Sequence, residues 1–122
     1  LRQGNAYEMA PLYDVLSVWP YAGKGRGQLH LRDVRLAMAL RSKNKHYEIY
    51  GVRPRHWHDL AMRNGGLAVW EAMRGLVDRV GQALAIVEAR LPEDFPGRIW
   101  TPIADGMRGQ VKKFQAEADA VA

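Results

Sequence analysis

Apolar and polar positions alternate along this chain with two distinct periods, and the change from one to the other divides it into elements. Residues 5–10, NAYEMA, alternate with period two and end at Pro11, which predicts a short strand. In LYDVLSVWP, Leu12, Leu16 and Trp19 fall on one side of a short helical segment that Pro20 stops. Residues 22–28, AGKGRGQ, predict a flexible loop. Over residues 33–52, two apolar runs, DVRLAMAL and HYEIYGV, flank the polar RSKNK, the pattern of a β-hairpin. The LAMAL run has enough helix propensity to make a helix the competing reading.

From residue 54 the period lengthens. RPRHWHDLAMRNGG predicts a helix with Pro54 in its first turn, Trp57, Leu60 and Ala61 on one face, and Gly65 and Gly66 as the stop. Trp70, Met73, Val77, Val80, Leu84, Val87 and Leu91 then advance by three and four in strict alternation, one apolar stripe along a long helix over 67–91. Leu91-Pro92 closes it, and Asp94 offers a cap for a further helix. Phe95, Ile99, Ile103, Met107, Val111 and Phe114 make the inward face of that helix. Two long antiparallel helices in 67–118 follow, with Pro102 expected to kink or bound the second near Thr101. Trp70, Met73, Val77, Val80 and Leu84 are expected to be largely buried against Ile99, Ile103 and Val111. The expected fold is mainly α with a small β-hairpin.

Length and composition narrow the picture without changing it. With 122 residues the chain has room for one domain with a modest core. Hydrophobic content of 48% and charged content of 25% are globular averages and exclude disordered and fibrous classes. No apolar run is long enough for a membrane span, and the chain does not open as a signal peptide does. It opens on Leu1, and the strand over 5–10 lacks a partner downstream, so the chain is expected to be part of a longer one. The absence of Cys excludes disulfides and thiolate metal sites.

Charge is unevenly placed: residues 1–64 hold 11 basic and 5 acidic residues, a net +6, whereas residues 65–122 hold 7 and 8, a net −1. Either an anionic partner meets the first half or its surface is simply solvated. Catalytic raw material is sparse. Apart from tyrosine, the hydroxyl side chains are Ser17, Ser42 and Thr101, none in a nucleophile-elbow pattern, so a hydrolase is disfavoured. The i, i+2 spacing of His56 and His58 points the two rings in different directions on a helix, which argues against zinc there, and His46 and His30 lie farther off. HLRDVRLAM resembles a kinase catalytic loop only superficially: Leu31 separates His30 from Arg32, and Met38 stands where an Asn would hold metal, so Asp33 reads as a turn residue. The loop 22–28 lacks the spacing of a phosphate cradle. Asp14 stands out because it is embedded in the apolar PLYDVLS, where a carboxylate must be hydrogen-bonded, paired or metal-bound if buried. Capping the short helix after it and serving a functional site are equally good readings of the residue.

MAPLYDVLSVWPY, from Met9 to Tyr21, resembles the HipA family of bacterial toxin kinases, in which a P-x-Y-D motif is followed by an apolar turn. DVRLAMAL at 33–40, PRHW at 54–57 and LPEDFP at 91–96 fit the same family in the same order, so the resemblance spans essentially the whole chain. It implies the C-terminal helical part of a kinase-like lobe. It also implies that Asp14 holds magnesium against the phosphates of ATP in a full-length parent that phosphorylates protein Ser or Thr, an aminoacyl-tRNA synthetase being one substrate in the family. The catalytic base, its companion Asn, the ATP-binding lysine and the glycine-rich loop precede this motif in the family and are absent here, so the 122 residues alone are expected to be inactive. Family members bind a small HipB-like antitoxin on operator DNA, and Arg41, Lys43, Lys45, Arg53, Arg55 and Arg63 are the candidate contacts. No membrane partner is implied, and a cytoplasmic location is expected. A stand-alone helical module that binds a protein or nucleic acid without catalysis is the alternative.

Overall fold

The computed structural model describes residues 11–121, so the strand expected over residues 5–10 lies outside the described residues. The fold is mainly α with one two-stranded antiparallel hairpin, in agreement with the pattern of the sequence. The short helix expected over 12–20 is not there. Residues 11–18 have no regular structure, and only Trp19–Tyr21 make a single 3-10 turn. Pro20 therefore sits inside that turn rather than stopping a helix before it. Of the stripe Leu12, Leu16 and Trp19 only Trp19 finds a surface, on the helix Gly97–Ala118, while Leu12 and Leu16 stay exposed, and isolated short helices are marginal. The loop that follows is closed by backbone bonds from Leu29 N–H to Tyr21 O (2.8 Å) and from Gly23 N–H to Leu29 O (3.0 Å).

Strands β1 (Arg35–Arg41) and β2 (Lys45–Glu48) form the hairpin. Leu40 faces His46, Arg41 faces Lys45, and the register shifts between Arg35 and Leu40. The shift explains why Leu40 is buried while Met38, two residues before it, is 85% exposed. Strand wins over helix in LAMAL because β2 satisfies its backbone and helix α1 covers Leu40.

Helix α1 (Pro54–Arg63) starts where Pro54 predicts, because a first-turn residue needs no intrahelical N–H partner. His56 Nδ1 accepts the Arg53 N–H at 3.1 Å and completes that end. Gly65 and Gly66, at φ 142° and 72°, take the left-handed backbone that ends it. The long helix expected over 67–91 is broken: α2 (Leu67–Asp78) and α3 (Val80–Glu88) are separated at Arg79. Continuous apolar periodicity did not reveal this, since Arg79 stays in the right-handed helical region (φ −81°, ψ −10°) and the stripe runs on across it.

Helix α4 (Gly97–Ala118) is the 22-residue element against which the others pack. One expectation fails at its start: its N-cap is Pro96 with no side-chain cap, so Asp94 does not cap it. The helix continues through Pro102, so no boundary falls near Thr101. The carbonyl that loses its donor belongs to Arg98, an exposed first-turn residue, where solvent is at hand.

Two buried points hold the body together. Ala61 of α1, Trp70 of α2 and Ala118 of α4 meet in one cluster with Val69, Met73 and Phe114 against it. Alanines at the crossings let the backbones come close enough for one indole to fill the space between them. The second is Leu84 on α3 and Ala104 on α4, which are 4% and 1% exposed. The expected burial is met by Trp70 and Leu84, whereas Met73, Val77 and Val80 and their partners Ile99, Ile103 and Val111 are half-buried. Val87, Phe95 and Met107 are exposed, so the stripe and the inward face of α4 are only partly covered. Among the described residues no helix is long and apolar enough to cross a membrane.

Candidate functional site

Asp14 occupies the irregular segment 11–18, with φ 55°, a left-handed conformation that aspartate tolerates better than most residues. It is exposed, as are its apolar neighbours Leu12 (85%) and Leu16 (90%), so the cost of burying a carboxylate among them does not arise. The capping reading fails as well. The first turn after it begins at Val18, and Ser17 Oγ, not Asp14, accepts the Trp19 N–H at 3.3 Å.

Beyond this segment, Trp19 from the 3-10 turn, Leu36 of β1, Trp57 of α1, Met73 and Val77 of α2, Val80 of α3 and Val111 of α4 surround an apolar cleft of about 630 Å³. Arg53, Gln110 and Lys113 are its polar lining, and among the described residues no carboxylate or hydroxyl lines it. Such a wall can bind or pack apolar groups, and of the described lining side chains Lys113 is the one with acid, base or nucleophilic chemistry. Lys113 is oriented by Tyr50, donating to the Tyr50 carbonyl at 3.2 Å and lying 5.1 Å from the ring centroid.

The six basic candidates divide into two kinds. Arg41, Lys43 and Lys45 are exposed at the tip of the hairpin, and Arg55 is exposed on α1. Arg53, just before α1, pairs with Glu117 of α4. Arg63, in the last turn of α1, donates to the Ser42 carbonyl and so ties the hairpin turn to the helix. The structure thus gathers Arg41, Lys43, Lys45 and Arg63 around the turn, and leaves Arg53 at the opposite end of α1. Arg55 Nε donates to His56 Nε2 at 3.2 Å.

His46 and His56, ten residues apart in sequence, are stacked face to face with ring centroids 3.7 Å apart and planes 12° from parallel. Ser42 Oγ lies 2.8 Å from His46 Nε2. Burial holds the pKa of His56 below the ordinary imidazole value, and the nearby His46 and Arg55 push it further the same way. His58 instead sets its ring edge against Trp70, 5.3 Å between centroids. Among the described residues no group of three or more His, Asp or Glu could hold a metal ion. Asp33 lies exposed in a turn, its N–H donating to the His30 carbonyl at 2.8 Å, as expected of a turn residue.

Neither the cleft nor the histidine stack is foreseeable from spacing. The only trace of the stack in the sequence is a histidine opening the apolar run HYEIYGV, opposite a strand whose register the pattern leaves open. No protein-family model matches the chain.

Proposed function

We propose that this chain is the C-terminal helical part of a HipA-type toxin kinase, whose full-length parent transfers the γ-phosphoryl group of ATP to a protein Ser or Thr. Asp14 is its magnesium ligand. The observation that carries the reading is Asp14 itself, an exposed carboxylate on a left-handed backbone in Pro11-Leu12-Tyr13-Asp14, with no helix to cap. A carboxylate is the hard oxygen donor magnesium takes, usually one or two of them with phosphate oxygens and water, so Asp14 fits as one ligand of such a set. Magnesium, when bound, neutralises charge on the ATP phosphates. The exposed Leu12, Tyr13, Val15 and Leu16 around Asp14 form an apolar strip of the kind that a further protein surface covers. By itself a single carboxylate holds magnesium weakly, and no residue here replaces the base or the nucleotide-binding groups of the family. The isolated chain is therefore expected to be inactive.

The test is a phosphorylation assay on the parent carrying Asp14→Asn, with folding checked by thermal melting. Loss of phosphoryl transfer with an unchanged melt is the expected result. Full activity in the folded variant would remove the kinase reading of the motif.

A second reading draws on Arg41, Lys43 and Lys45, exposed together at the hairpin tip: a module that binds nucleic acid or an acidic protein without catalysis. In the first reading the same tip meets the antitoxin or operator DNA. Binding of duplex DNA by the isolated chain that weakens steeply with salt supports either role of the tip. Only phosphorylation by the parent separates the two readings.

A further inference from the structure

The hairpin meets the helical body chiefly through α1, and the two imidazoles lie at the centre of that meeting. His56 is only 6% exposed, and half-buried His46 lies flat against it at 3.7 Å. Both nitrogens of His56 face donors: Nδ1 receives the Arg53 backbone N–H at 3.1 Å, and Nε2 receives Arg55 Nε–H at 3.2 Å. A neutral imidazole can accept at only one nitrogen, and an imidazolium at neither. Proton uptake by His56 would therefore set N–H against N–H at both ends, and a charge on either ring would lie against the other ring.

The surroundings oppose a positive charge from several sides. Arg53, Arg55 and Arg63 come from α1 and its N-cap, Lys45 opens the strand that carries His46, and Lys43 lies in the turn before it. Opposing them are Asp59, half-buried on α1, Glu48 on β2, which is exposed, and Glu117 on α4, which is engaged with Arg53.

We propose that the His46–His56 stack is a proton-operated latch: in mild acid, proton uptake by His56 parts the rings and releases the hairpin, with Lys43 and Lys45 at its tip, from α1. The inference is independent of the kinase reading. The low pKa of His56, caused first by burial and then by His46 and Arg55, supports it. The sign follows from linkage. Opening the hairpin exposes His56 and returns it toward the ordinary value of 6.5, while the closed hairpin holds it lower, so opening is favoured as pH falls through 6.5 and levels off below the closed-state value. Over that window the opening constant rises by up to about tenfold per pH unit for the one proton His56 takes up. Release is local because a two-stranded hairpin has little stability without a surface to pack on, and neither His30 nor His58 belongs to a stack of this kind.

The experiment is NMR on the full 122-residue chain from pH 8 to pH 5. It follows the imidazole signals of His46 and His56 and amide-exchange protection, corrected for the intrinsic pH dependence, in the hairpin and in α4. Expected are a His56 midpoint below 6.5 and a loss of hairpin protection of about tenfold or more while α4 is unchanged. Two variants separate the latch from general acid sensitivity. His46→Phe keeps a stacked ring without the neighbouring imidazole, and His56→Asn removes the buried titrating ring but keeps an acceptor for the Arg53 N–H; the first should weaken and the second should flatten the pH response of the hairpin. An undiminished response in both variants would overturn the proposal. If neither variant folds, the native chain decides: a His56 midpoint at or above 6.5, or equal loss of protection in the hairpin and α4, overturns it.

Discussion

Gly106, midway along α4, has a packing role that a substitution can isolate. An added Cβ there would overlap the indole of Trp19, whereas at Gly109, one turn on, it would meet nothing within 4 Å. Replacing glycine by alanine inside a helix ordinarily stabilises by about 1 kcal/mol. Gly109→Ala should show that gain. At Gly106 the same gain is opposed by displacement of the indole, an overpacking cost of about 1–3 kcal/mol, so Gly106→Ala should destabilise by about 1 kcal/mol. In a Trp19→Ala background the obstacle is gone, and Gly106→Ala should stabilise by about 1 kcal/mol, leaving a coupling of about 2 kcal/mol between the positions. Urea unfolding followed by far-ultraviolet circular dichroism on the two single variants, the double variant and the parent measures this cycle. Effects of Gly106→Ala that agree in both backgrounds within about 0.5 kcal/mol would show that Trp19 does not dock on this glycine.

Leu84, buried between α3 and α4, should cost about 2–4 kcal/mol on replacement by Ala, whereas half-buried Val80 beside the cleft should cost about 1 kcal/mol; urea midpoints measure both, and losses below about 0.5 kcal/mol at both would place the stripe on the surface. Removing the tip charges with Lys43→Ala and Lys45→Ala should leave the melting temperature unchanged. It should also flatten the salt dependence of any duplex-DNA binding by roughly one unit of slope for each phosphate that the two lysines neutralise. Because burial, His46 and Arg55 lower the pKa of His56, the stability this histidine contributes is full above pH 6.5 and declines as pH falls from there toward its folded value. Thermal melts between pH 8 and pH 5 should show that decline reduced in His56→Asn.

The sequence by itself determined the elements that carry their own local signals. Pro54 and the Gly65-Gly66 pair bound α1 because their backbone preferences act within a single turn, and RSKNK marks the hairpin turn because polar residues there interrupt two apolar runs. The apolar stripe predicted helix over residues 67–91, which the structure gives as far as Glu88 with a break at Arg79, and it placed Trp70 and Leu84 in the interior. Asp14 was legible as an unusual carboxylate, but its setting was not: a short apolar stripe promises a helix only if some surface receives it, and in the structure Leu12 and Leu16 face solvent. What required the tertiary structure is what depends on distant segments meeting. The break at Arg79 is invisible to a stripe that keeps its period across it, and the failure of Met73, Val77 and Val80 to become fully buried reflects how far apart α1, α2 and α4 stand around the cleft. The division of the basic residues between bonded and exposed was set by Glu117 and the Ser42 carbonyl. The stacking of His46 on His56 was set by a strand register that a one-residue slip would have reversed. Propensity and period act along the chain, whereas burial, pairing and pKa depend on which side chains the folded chain brings together.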